Sequence, residues 1–169
     1  VVMVTKKERA ESNTNWAQGG VAAVLSDDDA PEYHIGDTLA AGAGLCHRDR
    51  VEILVREGPA RVRELIEWGA EFQRDGDGLS LGREGGHSRR RIVHAADRTG
   101  WMIEHALLAA VAENPRIRVL EDHFAVDLLV GEDPLVHEPR CAGALVLDHS
   151  KGVLHTVRAR MTMLATGGA

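Results

Sequence analysis

Apolar and polar positions follow three different rhythms along the 169 residues. The opening "VVMVT" is rich in β-branched residues and predicts a first strand. Residues 12–20, "SNTNWAQGG", are polar and close on a glycine pair, which predicts a loop, and the apolar "VAAVL" behind them predicts a helix start. Helical spacing then holds over three stretches, residues 32–41, 48–57 and 59–68. The third carries Pro59 near its first turn, Val62, Leu65 and Ile66 at i, i+3 and i+4, and Gly69 as its stop signal. "RDGDG" predicts a turn. Residues 79–99 are polar and glycine-rich, and residues 101–113 resume helical spacing until "NP" ends it. From there the pattern is that of strands: "IRVLE", "FAVDLLV", "CAGALVLD" and "VLHTVRARMTMLAT", with "GEDP" and "HSKG" as turn signals. The last two predict a hairpin that carries the chain back to a buried strand.

A strand, a loop, helices, an antiparallel insert and a returning strand together predict an α/β nucleotide-binding, Rossmann-like domain with a small antiparallel β-meander. The length and a 44% hydrophobic content suit one core, so one domain or a piece of one is expected. A piece is the stronger expectation, since the chain opens inside a strand without Met and stops just after an apolar run has delivered a glycine pair. The net charge of −6 argues against a nucleic-acid or anionic-membrane partner, which leaves the basic "HSRRRIVH" a local feature. Two distant cysteines, Cys46 and Cys141, form neither a disulfide framework nor a zinc pattern, so no metal is expected and a reducing, cytoplasmic setting fits. The longest apolar runs, such as "HALLAAVA", are too short to span a bilayer.

Two segments carry candidate chemistry. Consecutive small residues in 12–20 let a backbone approach closely and present its N–H donors to anionic or carbonyl oxygens, although a plain loop has the same composition. In "REGGHSRRRIVHAADRTG", Glu84 and His87 flank a glycine pair. Taken alone, Glu84 reads as a surface residue of a glycine loop. His87, Arg89, Arg90, Arg91 and His94 either anchor an anionic ligand or pair with the many acids of the chain, and only His87 reads as a pocket residue. Asp97 either caps this loop or begins the helix at Thr99.

Three blocks in order, "VTKKERAESNTNWAQGGVAAVLSDDDAPEYHIGDTLAAGAGLC", "LGREGGHSRRRIVHAADRTG" and the closing "ATGGA", resemble the L-aspartate oxidase family. Those flavoenzymes begin quinolinate and NAD biosynthesis in bacteria and are similar to the succinate dehydrogenase and fumarate reductase flavoprotein subunits. The resemblance covers essentially all of residues 1–169 and implies a partial FAD-binding domain. The family's upstream GxGxxG turn and its downstream capping domain lie outside this sequence. It implies that Asn13, Thr14, Asn15, Trp16, Ala17, Gln18, Gly19 and Gly20 wrap FAD. It places Lys6 near the adenosine ribose, where a dinucleotide fingerprint would put an acid. Phe124, Ala125 and Val126 either meet the adenine through backbone groups or simply pack in the core. The resemblance also implies a second close backbone approach to the cofactor at Thr166, Gly167 and Gly168, although a strand followed by a glycine turn has the same sequence.

Succinate dehydrogenases carry a flavin-linked His where this chain has Asn13, so FAD is expected to be held non-covalently. Glu84 matches a carboxylate that orients the α-ammonium of aspartate, and relatives acting on succinate have an uncharged residue there. Glu84 and His87 are thus the expected substrate-side residues. The implied reaction is oxidation of L-aspartate to iminoaspartate with electrons passed to oxygen or fumarate, and a hand-off of product to quinolinate synthase. The alternatives are a soluble fumarate reductase or succinate oxidase, and an FAD-free, non-catalytic domain. Residues 1–169 alone are expected to be inactive.

Overall fold

The structure, a computed structural model, describes residues 1–132 and 138–167. In chain order its elements are β1 (Val2–Val4), β2 (Val21–Ala22), α1 (Pro31–Ala41), α2 (Arg48–Glu67), β3 (Arg74–Asp75), β4 (Gly78–Leu79), β5 (Leu81–Gly82) and β6 (Ile92–Val93). They continue with α3 (Thr99–Glu113), β7 (Arg118–Leu120), β8 (His123–Glu132), β9 (Pro139–Asp148) and β10 (Val153–Arg158). The mixed α/β class and the antiparallel meander match expectation. The chain divides into two compact units, residues 1–13 with 112–169, and residues 14–111.

In the first unit β1 pairs in parallel with β7, and β8, β9 and β10 form an antiparallel sheet in the order β10-β9-β8. The register of β8 on β9 slips between Ala125 and Asp127, so Val126 occupies a bulge. The expected strand over residues 153–166 is too long: β10 ends at Arg158, opposite Gly143. Beyond one further bond, from the Ala159 N–H to the Ala142 carbonyl, β9 continues against β8, and the freed apolar run is not buried, with Met161 90% and Met163 88% exposed. The pairing stops at Gly143, whose φ of +136° breaks the regular strand geometry of β9 there, and no local pattern in residues 153–166 reports that.

In the second unit the core gathers Ala23, Val62, Ala70, Phe72, Val93 and Ala106, and a second cluster gathers Ile35, Val51 and Val55. The two expected helices over residues 48–57 and 59–68 are one, α2, with Pro59 inside it. Pro59 has no N–H for the Val55 carbonyl, a cost of about 3 kcal/mol. Burial of Val51, Val55 and Val62 on the same helix stabilises it by roughly 1.5–3 kcal/mol each, which outweighs that cost. Gly69 does stop the helix: with φ of +97° its N–H donates to the Ile66 carbonyl while Ala70 donates to Leu65, a Schellman closure. The expected helix start at "VAAVL" is instead β2, paired antiparallel with β6, which β5 flanks on its other side. Ile92 and Val93 of β6 are fully enclosed, so the polar stretch 79–99 hides two core residues. Among the described residues no helix is long and apolar enough to cross a membrane.

Candidate functional site

The "EGGH" segment of the second unit closes as a β-turn. The His87 N–H donates to the Glu84 carbonyl at 3.3 Å, and Gly86 takes a φ of +85°, the conformation that the third position of a type II turn reserves for glycine. Glu84 and His87 therefore stand at the two ends of one turn. Glu84 is exposed and His87 half-buried.

What anchors this turn is a buried ion cluster. Arg91 is fully buried and donates through Nε and Nη2 to both carboxylate oxygens of Asp29, at 2.8 Å each, and through Nη1 to Asp37 at 2.6 Å. Asp37, on α1, also accepts from the Ser88 N–H at 2.7 Å and from Ser88 Oγ at 2.8 Å. Burial pushes the Asp37 carboxyl up, but Ser88 and Arg91 more than offset this and hold it at about 2. Arg91 Nη1 further lies 3.4 Å from His87 Nδ1. A guanidinium only donates, so Nδ1 accepts and the imidazole proton sits on Nε2. His34, also on α1, is buried with its ring 5.8 Å from that of His87. Burial, then the Arg91 charge, then His87 lower its pKa below the ordinary histidine value.

The structure thus separates the basic run. Arg91 pairs with acids, and Arg89 stacks 4.7 Å over the Tyr33 ring and donates to the Asp28 carbonyl. Asp29, Asp37 and His34 escaped the sequence reading, because acids 62 and 54 residues from Arg91 carry no local signal of the pairing. Thr99 Oγ1 accepts from the Ala95 N–H at the start of α3.

The expected cofactor loop is built on α3. Thr14, Asn15 and Trp16 form a 3-10 turn, and the Gly100 N–H donates to the Ala17 carbonyl at 2.9 Å. A side chain at Gly100 would collide with the Thr14 carbonyl, so the helix start lies directly against the loop. Gly20 is as tight, its would-be Cβ 2.6 Å from the Val93 carbonyl. Gly19 has open space around it, and Thr14, Trp16, Ala17, Gln18, Gly19 and Gly20 are exposed, Trp16 by 72%. The loop is held from beneath and bare on its outer side, which fits a polar ligand approaching its backbone.

In the first unit, Lys6 follows β1 between two backbone bonds, from the His123 N–H to the Thr5 carbonyl and from the Asp122 N–H to the Lys7 carbonyl. This brings it to the start of β8, the strand that carries Phe124, Ala125 and Val126. Phe124 and Val126 are 53% and 48% exposed, so they are not core residues. Gly167 has φ of +76°, and a Cβ there would lie 3.9 Å from Asn13 Nδ2, so these two expected cofactor residues are neighbours. Thr166 precedes it outside any strand, and Gly168 lies outside the described residues.

In the second unit, an exposed loop backbone braced by close glycine contacts is equipment suited to a nucleotide ligand. The chain belongs to the FAD binding domain family, which matches it over residues 1–169. It is 50% identical to an L-aspartate oxidase of Arabidopsis thaliana over all of this chain and 26% of that protein. It is 45% identical to L-aspartate oxidase 1 of Ralstonia nicotianae, again over its whole length and 32% of the relative. Among solved structures it is similar to E. coli quinol fumarate reductase, with a TM-score of 0.91 and 34% identity over 99% of this chain and 28% of the other. The chain therefore spans about a quarter to a third of the length of the curated relatives it matches.

Proposed function

We propose that this chain is the flavin-binding part of an L-aspartate oxidase, which oxidises L-aspartate to iminoaspartate and passes the electrons to oxygen or fumarate. The observation that carries the reading is the 50% identity with a plant L-aspartate oxidase over the whole length of the chain. Bound FAD supplies the two-electron acceptor that amino-acid side chains lack. Asn13, the loop from Thr14 to Gly20, Lys6, Phe124 to Val126 and the Thr166 to Gly168 segment hold it. With an amide at Asn13 in place of a ring nitrogen, they hold it without a covalent bond.

Glu84 receives the substrate ammonium as a charge-assisted acceptor and so selects an amino acid over a plain dicarboxylate. His87, with its proton on Nε2, donates to a substrate carboxylate, and Arg91 and Asp37 hold the turn that carries both residues. The product is an imine that water hydrolyses, which favours a direct hand-off to quinolinate synthase. Two free, half-buried cysteines suit a reducing, cytoplasmic setting.

The similarity to quinol fumarate reductase supports a second reading, a soluble fumarate reductase. Glu84→Gln in the flavin-quantified protein carrying this chain separates the two. Loss of a charge-assisted hydrogen bond is worth on the order of 1.5–3 kcal/mol, so kcat/KM for aspartate falls by roughly one to two decades while fumarate reduction is spared. Equal losses on both substrates would return Glu84 to a structural role, and no aspartate turnover in the unaltered protein would leave the fumarate reductase reading.

A further inference from the structure

The first unit carries a second cluster of chemically competent side chains that the flavin reading does not use. On the meander, His123 of β8 lies directly opposite Asp148 of β9. His155 of β10 lies opposite Val146, two residues back along β9. Since strand side chains alternate between faces, this register puts His123, Asp148 and His155 on one face of the sheet. It is the sheltered face: Val146 and Asp148 are buried, whereas His155 is half open to solvent.

We propose that His123, Asp148 and His155 form a binding site for a divalent transition-metal ion of the zinc class. One ligand atom from each residue lies within 4.8 Å of the other two. His123 Nε2 and His155 Nε2 are 3.8 and 4.0 Å from Asp148 Oδ2. A tetrahedral zinc with bonds of about 2.0–2.1 Å needs ligand atoms about 3.3 Å apart, so side-chain torsions have to close the triangle by at most about 1.5 Å. Two imidazoles and a carboxylate are a borderline donor set suited to zinc, and they leave a fourth position for water.

Two further features belong to such a site. His123 Nδ1 lies 2.6 Å from the Glu121 carbonyl, which fixes its proton there and leaves the Nε2 lone pair facing Asp148, the outer-shell arrangement of metal-bound histidines. The position already attracts a cation, because Lys151 Nζ donates to Asp148 Oδ2 at 2.9 Å while its side chain is 72% exposed and free to leave. Ser150 Oγ and the Lys151 N–H donate to Oδ1, so Oδ2 remains the oxygen a metal would take once Lys151 withdraws. An ion there ties β8 and β10 to β9, across both sides of the meander.

Calorimetric titration of the purified protein with Zn²⁺ tests the assignment without reference to enzyme activity. The expected result is one site that His155→Ala weakens roughly tenfold or more. Lys151→Met, by removing the competing ammonium, is expected to tighten the same site several-fold. His155 is half exposed, so its replacement leaves a foldable protein, and the metal-free melting temperature of each variant checks this. Absence of a site in the unaltered protein, or zinc affinity equal in all three proteins, overturns the proposal. Weaker binding in Lys151→Met overturns it too, because a surface lysine makes no contribution to a site other than by competing for Asp148.

Discussion

Replacing Gly100 by Ala sets two opposed effects against each other at the foot of the cofactor loop. Helix propensity favours the change: alanine in place of glycine is worth up to about 1 kcal/mol in a helix interior, and less in a first turn such as this one. The packing opposes it. The new Cβ would fall inside the Thr14 carbonyl oxygen's contact radius and 2.8 Å from both the Cβ and the carbonyl of Ala17. Two of these three atoms are backbone, so no rotamer change relieves the overlap, and either α3 or the loop has to move. Overpacking of this kind costs about 1–3 kcal/mol, and parting the pair also strains the 2.9 Å bond from the Gly100 N–H to the Ala17 carbonyl, worth about 1 kcal/mol. The net expectation is destabilisation by about 1–3 kcal/mol, the reverse of what propensity predicts. FAD affinity is expected to fall with it if, as proposed above, the displaced segment wraps the cofactor. Urea unfolding of the apoprotein gives the first quantity and quenching of flavin fluorescence on titration gives the second. A Gly100→Ala protein that is as stable as the original and binds FAD equally well would refute the packing argument.

Three other outcomes follow from the same structure. FAD bound to the protein is expected to leave in the supernatant on acid precipitation, since Asn13 offers no ring nitrogen for a covalent link; flavin fluorescence in the washed pellet would contradict this. Asp37 is held at about 2 when folded against an ordinary 3.8, so its contribution to stability is present above about pH 4 and is lost as pH falls towards 2. Asp37→Asn is therefore expected to lower the urea midpoint at pH 6 and to lower it by roughly half as much at pH 3; a deficit that does not shrink with acid would remove the carboxylate from the account. Residues 1–169 by themselves are expected to show no aspartate oxidation, because no GxGxxG turn to grip the FAD pyrophosphate lies within them; turnover by a purified 18.3 kDa chain would contradict it.

Local pattern determined a good deal of this protein. The helix over residues 101–113, the hairpin at "HSKG", the stop at Gly69 and the turn at "EGGH" are each set by a few adjacent residues, because φ preferences and short-range hydrogen bonds act over one turn. The polar loop ending in Gly19 and Gly20 was legible for the same reason. Tertiary structure alone decided the remainder. It carried α2 through Pro59, since buried valines on one face outweigh a missing backbone bond. It ended β10 at Arg158 although β9 runs on to Pro139, and it turned "VAAVL" into a strand because β6 was there to pair with it. It also resolved the arginine run, whose members look alike in sequence: Arg91 is buried on Asp29 and Asp37 while Arg90 stays at the surface. A buried charge persists only when fully paired, and partners that are 54 and 62 residues distant along the chain become neighbours only once the fold has formed.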